Sequence, residues 1–202
     1  MITGSEAESR ALMMNAAVRI VAQYGFEGFT TKKWALEAGV AEGSLYYHFK
    51  SKSDLLNETF FMIDQEITAL YADDEVIPED PEELSAFVET LWGRCYHYLL
   101  GNPEKALFYH RFRTSPRYTE EIQRMQLEEY GTKMKVVFEL MQRLNVKSMS
   151  IEKLLCCFIM DTTTSFAYRV VTGGITHSAK TEKEVACFVL QGMRSLFNSE
   201  RS

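Results

Sequence analysis

The sequence predicts an all-α protein with a small N-terminal helix-turn-helix domain ahead of a larger helical body. Apolar residues recur at helical spacing through most of the chain, and no alternating pattern long enough for a β-strand appears. Near the N-terminus, the segment 30–52 has the pattern of a helix, a glycine turn, a second short helix and the start of a third. With 202 residues, the chain is long enough for both a small domain and a body with its own core.

The boundaries and packed face of the helix-turn-helix segment follow from its residue types. Thr30 can cap the first helix, because its hydroxyl can accept a bond from a backbone N–H. Gly39 is expected to end that helix in a left-handed conformation. Leu45 and Phe49 lie four residues apart and are expected to face inward from the second helix. Ser51 is placed to cap the helix that follows.

Three lysines are predicted at helix N-termini: Lys32 and Lys33 in one helix and Lys52 in another. The helix dipole disfavours a cation there by roughly 0.3–1 kcal/mol, so these positions do not serve stability. The same positions suit phosphate groups, because the free N–H groups of a helix N-terminus attract anions. The pattern favours a nucleic-acid backbone as the partner.

A larger set of residue types recurs at fixed spacing from Met13 to Leu55. Its members are Met13, Ala16, Ala17, Ile20, Val21, Gly25, Thr30, Ala35, Ala38, Gly39, Val40, Gly43, Leu45, Tyr46, His48, Phe49, Ser51 and Lys52. This pattern resembles the DNA-binding domain of the tetracycline-repressor (TetR) family of bacterial transcription regulators. The resemblance implies a DNA-binding domain over residues 1–55, with the helix-turn-helix motif at about 31–50, and an effector-binding and dimerisation domain over residues 56–202. Beyond about residue 70 the resemblance is one of architecture only.

The resemblance also implies a DNA-contacting surface. Its residues are Thr31, Lys32, Lys33, Glu42, Gly43, Ser44, Tyr46, Tyr47, His48 and Lys52. Ser44 and Tyr47 are expected near base edges, whereas Tyr46, His48 and Lys52 are expected on phosphates, which fix register. Packing inside the domain is the alternative for Tyr46 and for His48, and both interpretations stay open.

Three residues depart from the family pattern. Trp34 stands where a smaller aliphatic residue is usual, and Ala41 replaces the hydroxyl cap of the recognition helix. Glu42 places a carboxylate at the start of that helix, where it suits the dipole but repels phosphate. These departures concern which operator is bound rather than whether DNA is bound.

The charge is unevenly divided along the chain. The net charge is −6, yet residues 1–55 contain six Lys or Arg and six Asp or Glu, so the whole excess of acid lies beyond them. A neutral domain with placed lysines can bind duplex DNA, while an acidic body limits non-specific binding.

The rest of the chain predicts a helical body that dimerises. Helices are expected over Glu6–Tyr24, Ser51–Tyr71, Leu84–Leu100, Pro103–Arg113, Pro116–Leu144, Ile151–Thr172 and Glu182–Asn198. The last two have wide apolar faces, and the resemblance implies that they form a four-helix bundle across a two-fold axis. The candidate interface residues are Leu155, Phe158, Val185, Phe188, Val189, Gly192, Met193 and Leu196. Burial of these faces within one chain is the alternative.

Aromatic and methionine residues are frequent in the middle of the chain, which suits a cavity for a small apolar or amphipathic effector. The candidate effector-binding residues are Trp92, Tyr96, His97, His110, Phe138 and Asp161. Plain core packing is the alternative for the aromatic residues. Asp161 interrupts an apolar helix, and a buried carboxylate needs a partner. That partner is a cationic or hydroxylated ligand, Arg169, or the dimer mate.

The resemblance implies a cytoplasmic homodimer that represses transcription from a palindromic operator in double-stranded DNA and is released by a small-molecule effector. An activator or corepressor-dependent regulator, an all-helical enzyme and a protein-binding adaptor are the alternatives. No spacing of a nucleophile and a base supports an enzyme. The four cysteines show no C-x-x-C pairing, and neither a metal nor a cofactor is expected. No signal peptide is recognised, and no apolar run is long enough to span a membrane.

Overall fold

The structure, a computed structural model, describes residues 4–71, 76–133, 135, 139 and 149–198. Its helices are α1 (Gly4–Tyr24), α2 (Thr31–Ala38), α3 (Ser44–His48), α4 (Lys52–Thr68), α5 (Pro81–Gly101), α6 (Pro103–Arg113), α7 (Glu120–Lys133), α8 (Met149–Val171) and α9 (Ala179–Asn198). No strand occurs within these ranges. The all-α class and the helical body that follows an N-terminal helix-turn-helix are therefore confirmed.

Helices α1, α2 and α3 and the first turns of α4, here called the head, pack around one face of α1. Met13, Ala16 and Ile20 on that face are buried. Trp34 of α2 is also fully buried, and its indole N–H donates to the Met13 carbonyl oxygen at 2.9 Å. The large ring at this position is therefore accommodated with its one polar atom satisfied.

Helix α4 belongs to both the head and the remaining helices, here called the body. Leu55 near its start is buried in the head, while Phe60 stacks on two rings of α6, Tyr109 at 5.0 Å and Phe112 at 4.5 Å between centroids. The buried apolar side chains form one continuous core through both parts. The predicted division between residues 55 and 56 falls inside this uninterrupted helix and stays a prediction.

Helix α6 also holds the C-terminal end of α1. The Arg111 guanidinium donates to the Ala22 carbonyl oxygen at 2.9 Å and also to that of Val21. Phe26, just beyond α1, meets Phe108 of α6 edge-on at 5.8 Å between centroids. The head is thus attached to the body at two places, through α1 and through α4.

Three predicted helix starts are wrong by three residues or more. Helix α5 begins at Pro81 rather than Leu84, and the Asp80 carboxylate accepts from the Glu83 N–H at 3.1 Å. Helix α7 begins at Glu120 rather than Pro116, because turns occupy the preceding residues and the Thr119 hydroxyl accepts from the Ile122 N–H at 3.4 Å. Helix α9 begins at Ala179 rather than Glu182, because Ser178 provides the cap by accepting from the Thr181 N–H at 3.1 Å. The part of the predicted helix Pro116–Leu144 that lies beyond Lys133 falls almost wholly outside the described residues.

Within the described ranges, none of the helices combines the length and the apolar character that a membrane crossing requires.

Gly39 and Gly43 form a matched pair for testing the turn, because a Cβ at either position would meet nothing within 4 Å. Gly39 has φ +69°, whereas Gly43 has φ −65° in the right-handed region. We expect Gly39→Ala to lower the free energy of unfolding by roughly 1–2 kcal/mol, the cost of a left-handed alanine. Gly43→Ala is expected to leave it unchanged or to raise it by up to about 1 kcal/mol. Urea unfolding measures both, and equal effects would contradict the conformational explanation.

Candidate DNA-recognition surface and effector sites

The turn between α2 and α3 is built by backbone capping at both ends of α2. The Thr30 hydroxyl accepts from the Lys33 N–H at 3.2 Å, which confirms the predicted cap. Gly39 adopts the predicted left-handed conformation, and the Val40 N–H then bonds to the Ala35 carbonyl oxygen at 3.0 Å. These bonds fix the direction in which the chain enters α3.

Helix α3 is short and begins without a side-chain cap. Its first turn is held instead by bonds from Ser44 N–H to the Ala41 oxygen at 2.9 Å and from Tyr46 N–H to the Gly43 oxygen at 3.2 Å. Leu45 and Phe49 are buried, as predicted. The backbone that presents α3 is therefore fixed by the turn and by two apolar anchors.

The outward face of α3 presents two tyrosines. Tyr47 is 81% exposed and Tyr46 is 67% exposed, so the packed alternative for Tyr46 is wrong. Gly43 and Glu42 are exposed just before the helix, and Ser44 is half-buried at its start. Since Gly43 has an ordinary right-handed conformation and open space beside it, the fold does not require a glycine there. Because Gly43 has no side chain, a partner can approach the backbone closely at this position.

His48 lies at the edge of this face and is half-buried. Its ring meets the Tyr47 ring edge-on at 4.8 Å, and its Nδ1 is buried without a hydrogen-bond partner among the described residues. The His48 backbone oxygen accepts from Arg10, which also forms an ion pair with Glu58. The residue is thus intermediate between the packed and the phosphate-contacting interpretations, and its role stays a prediction.

The three lysines have different surroundings. Lys32 is exposed, as is Lys33, whose ammonium lies 4.4 Å from the centroid of the Tyr24 ring. The Lys52 ammonium donates to the Phe29 carbonyl oxygen and lies 4.9 Å from the Phe29 ring centroid. Burial, and secondarily the charge of Arg117, lower the pKa of Lys52. Lys52 is therefore already engaged within the head, and a phosphate would have to share its ammonium with Phe29.

Thr31 lies half-buried beside Lys32 in the first turn of α2. Thr31 and the exposed Lys32 follow the Thr30 cap, so they lie at the N-terminal end of α2 where an anion is favoured. The part that each predicted DNA-contacting residue plays stays a prediction.

The candidate effector residues divide between two places in the body. Trp92, Tyr96 and His97 all lie on α5, next to the start of α9. Trp92 and His97 line a cleft of about 640 Å³ between α5 and α9, and the His97 Nε2 lies 2.7 Å from the Glu182 Oε1. Tyr96 is fully buried, stacked on Trp92 at 4.8 Å, and its hydroxyl has no partner among the described residues.

His110 and Asp161 lie elsewhere, where α6 packs on α8. The His110 ring stacks on Tyr168 of α8 at 4.4 Å. Burial lowers the pKa of His110, and the charge of Asp161 opposes this shift. Phe138 lies outside the described residues. The structure therefore does not unite the predicted effector residues in one site.

The structure corrects the expectation that Asp161 is buried, and its described partner is Arg113 rather than Arg169, while a contact with a ligand or a dimer mate stays a prediction. Its side chain is 60% exposed, and its Oδ1 accepts from Nη2 of Arg113 at 2.7 Å and from Nε at 3.0 Å. Arg113 is itself buried on α6. Asp161 thus serves as the counter-ion of a buried guanidinium at the surface of the body.

The fully buried carboxylate of this region is Asp64 on α4, which the sequence interpretation missed. Its Oδ1 accepts from the Tyr109 hydroxyl, from the Gln126 amide and, at 2.9 Å, from the Tyr130 hydroxyl. Burial raises the pKa of Asp64, against the opposing effect of these donors. A signal was present in the sequence, because Asp64 lies four residues after Phe60 on the buried stripe of α4.

Gln126 joins Asp64 to a second group of polar side chains. While its amide nitrogen donates to Asp64, its oxygen accepts from Arg113 at 2.9 Å. Arg113 also donates to the Tyr118 hydroxyl at 2.9 Å. One hydrogen-bonded chain therefore runs from α4 through α7 and α6 to Asp161 on α8.

The candidate dimer residues face different ways. Val185 and Val189 on α9 are buried within the single chain, which favours for these two residues the alternative of burial inside one chain. Phe188 on the same helix is 59% exposed, and Phe158 on α8 is partly buried. Leu155, Gly192, Met193 and Leu196 lie outside the residues whose side chains the structure describes.

Among the described residues, no group of three or more His, Cys, Asp and Glu side chains is arranged to hold a metal ion. Cys95 is buried and Cys187 exposed, both as free thiols. Burial, together with the nearby charge of Asp64, raises the pKa of Cys95 to about 12. This thiol is therefore protonated at neutral pH and a poor nucleophile.

An all-α chain whose head presents a short exposed helix after a glycine turn is a helix-turn-helix protein. Residues 13–59 match the sequence profile of the bacterial regulatory proteins of the tetR family. This segment therefore corresponds to the N-terminal domain of that family. The chain is 33% identical to the HTH-type transcriptional regulator AcrR of Shigella flexneri over 75 residues. This aligned segment covers 37% of this chain and 35% of that protein. The chain is also 40% identical over 48 residues to the fatty acid metabolism regulator protein of Bacillus subtilis, and this segment covers 24% of this chain and 25% of that protein.

The sequence match thus spans about a third or less of these relatives, whereas solved structures match the fold over nearly the whole chain. A TetR family transcription regulator from Marinobacter aquaeolei superimposes with a TM-score of 0.71 at 21% identity, covering 92% of this chain and 95% of that one. The transcriptional regulator FadR from Bacillus subtilis, solved in complex with stearoyl-CoA, superimposes with a TM-score of 0.61 at 22% identity. The match covers 90% of this chain and 98% of that one.

The raised pKa of Asp64 has a consequence for stability. The folded protein binds a proton at this carboxyl more readily than the unfolded chain, whose ordinary value is 3.8. The stability from Asp64 protonation is therefore present below that value and is lost as pH rises through the raised pKa. On acidification from neutral pH, we expect wild type to gain stability relative to Asp64→Asn.

The measurement is urea unfolding at several pH values, with Glu128→Gln as the control because its carboxylate is exposed and contacts no buried group of this network. The explanation fails if the difference in unfolding free energy between wild type and Asp64→Asn is independent of pH.

Proposed function

We propose that this protein is a homodimeric transcription regulator that binds a palindromic operator through α2 and α3, represses transcription there and is released by a small-molecule effector. The observation that carries the proposal is the outward face of α3. Tyr46 and Tyr47 project into solvent from a helix held by two buried anchors, next to a glycine that the fold does not require. A short exposed helix on a rigid turn suits insertion into the major groove.

Exposed aromatic side chains on a small domain need an explanation. A tyrosine presents a large apolar ring to water, and two adjacent ones contribute little to the stability of a monomer. Their hydroxyls can donate to phosphate or to base edges without carrying charge. The exposed Lys32 at the N-terminal end of α2 adds a positive charge where free N–H groups already favour an anion.

Dimerisation is supported by Phe188. With Val185 and Val189 turned inward, α9 still exposes this aromatic side chain. A two-fold dimer places two copies of α3 on the two half-sites of a palindrome.

Release by an effector is supported by the shared helix α4. Because Phe60 stacks on α6 while the start of α4 is packed in the head, a shift of the body changes the position of α3. A ligand that prefers one arrangement by a few kcal/mol alters operator occupancy. The FadR neighbour is solved with stearoyl-CoA, so an amphipathic molecule with a long apolar chain is the first effector class to test.

The first prediction of this proposal concerns Tyr47. We expect Tyr47→Ala to lower operator affinity at least about tenfold, the loss of one good base or phosphate contact, while unfolding is unchanged. Because the lost contact is uncharged, the salt dependence of binding should stay the same. Lys32→Ala should weaken binding to all sequences and reduce the salt slope by about one.

Footprinting on DNA from the genomic neighbourhood of the gene, followed by titrations at several salt concentrations, measures these effects. Val76→Ala, an exposed apolar position in the body, is the matched control. Full operator binding by Tyr47→Ala would remove this side chain from the recognition surface. A folded wild-type protein that protects no DNA site would contradict the regulator and leave an enzyme or an adaptor to account for the fold.

The second prediction concerns Phe188. Phe188→Arg should weaken self-association by roughly tenfold or more, because a buried aromatic contact is replaced by a charge without a partner. The neighbouring exposed Cys187→Ser serves as the control. Sedimentation velocity over a range of concentrations measures the dimer, and a Phe188→Arg dimer as tight as wild type would contradict this interface.

A further inference from the structure

The carboxylate of Asp64 is hydrogen-bonded on one side only. Its Oδ1 accepts from three donors, on Tyr109, Gln126 and Tyr130. Its Oδ2 is equally buried and has no hydrogen-bond partner among the described residues. A buried carboxylate oxygen without a donor costs free energy that a bound donor would recover.

Among the described side chains, none forms a direct ion pair with Asp64. The nearest guanidinium in the hydrogen-bonded chain, Arg113, is connected to it only through the Gln126 amide. Arg113 is in turn paired with Asp161 on its other side. The donors that touch Asp64 are neutral, since burial raises the pKa of both the Tyr109 and the Tyr130 hydroxyls. A cation placed at Oδ2 would therefore form a direct charge pair that the described part of the chain does not supply.

The surroundings of Asp64 favour an apolar molecule attached to that cation. Phe60, one turn earlier on α4, stacks on Tyr109, the same ring whose hydroxyl bonds to Asp64. Aromatic faces next to a buried carboxylate attract ammonium groups and alkyl chains alike. An anionic head group would meet the charge of Asp64 in a region of low dielectric constant, so it is disfavoured at this position.

We infer that the effector of this regulator carries an ammonium group on an apolar chain and that this group binds the Oδ2 of Asp64. The inference rests on the proposed regulatory function and narrows its effector from amphipathic molecules in general to cationic ones. The long-chain acyl thioester considered above lacks such a donor.

Binding at Asp64 would act directly on the head. Asp64 is fully buried between α4 and its neighbours, so a ligand that reaches Oδ2 has to displace packed side chains of α6 or α7 from α4. Helix α4 carries the head at its other end. A ligand that occupies the site would therefore also displace the head, and no helix other than α4 is needed to transmit the movement.

The test compares probes of equal chain length: decylammonium, decanol and decanoate. Calorimetry should show decylammonium binding to wild type, decanol binding more weakly, and decanoate not binding. Asp64→Asn should weaken decylammonium binding roughly 10- to 100-fold, the range for one charge-assisted hydrogen bond. Glu128→Gln removes an exposed carboxylate on α7 that lies outside this hydrogen-bonded chain, and it should leave the affinity unchanged.

A second readout is pH. Decylammonium requires the ionised carboxylate, so its affinity should fall on acidification, starting above the ordinary carboxyl range because burial raises the pKa of Asp64. The other groups near Asp64 do not titrate in that window: Tyr109, Tyr130 and Cys95 stay neutral, and Arg113 stays charged. If Asp64→Asn does not fold, wild type alone decides through the comparison of decylammonium with decanol and through this pH profile.

Equal affinity for decylammonium and decanol, or an unchanged affinity in a folded Asp64→Asn, would overturn the inference. Operator binding is measured separately and without amine, so the two proposals fail independently. A protein that binds its operator but ignores decylammonium is a regulator with another effector. If the protein binds decylammonium through Asp64 but binds no DNA, the ligand site is supported and the proposed regulatory function is contradicted.

Discussion

The attachment of α4 to α6 is the interaction on which the rest of the structure depends. Phe60 stacks on Tyr109 and Phe112, and one turn later Asp64 bonds to the hydroxyl of the same Tyr109. Helix α4 begins under the head with the Ser51 cap, so these contacts position the recognition surface as well as the body core. A rigid helix shared by two packed units transmits displacement, because close-packed interfaces switch between arrangements rather than deform continuously.

The polar chain beneath this stack is difficult to explain by stability alone. A buried carboxylate costs several kcal/mol unless it is fully paired, and apolar substitutes of similar volume are often neutral or stabilising. Asp64 keeps one oxygen without a partner among the described residues, and Arg113 is linked to it by hydrogen bonds only through Gln126. Groups that break the local rules of packing are found mostly where a protein binds or switches. The position of Asp64 on the helix that carries the head agrees with such a role.

Local chemistry determines what the sequence could predict. The Thr30 and Ser51 caps and the left-handed Gly39 depend on neighbours within a few residues, and all three are found as expected. Long-range pairing was not predictable. An acid in an apolar stretch suggested a buried Asp161, yet only tertiary packing shows that Arg113 meets it at the surface and that Asp64 is the buried one. Likewise, a wide apolar stripe on α9 could not reveal that Val185 turns inward while Phe188 remains exposed.

The recognition surface depends on shape more than on charge, and this follows from the same residues. Residues 1–55 carry no net charge, and Lys52 is held by the Phe29 carbonyl oxygen. The side chains that project from α3 are tyrosines, and in the proposed function they bind only when their position on the duplex is correct. An affinity built mainly from long-range attraction would tolerate small displacements of the head. One built from short-range contacts of Tyr46 and Tyr47 would not, so a modest shift of α4 is sufficient to control it.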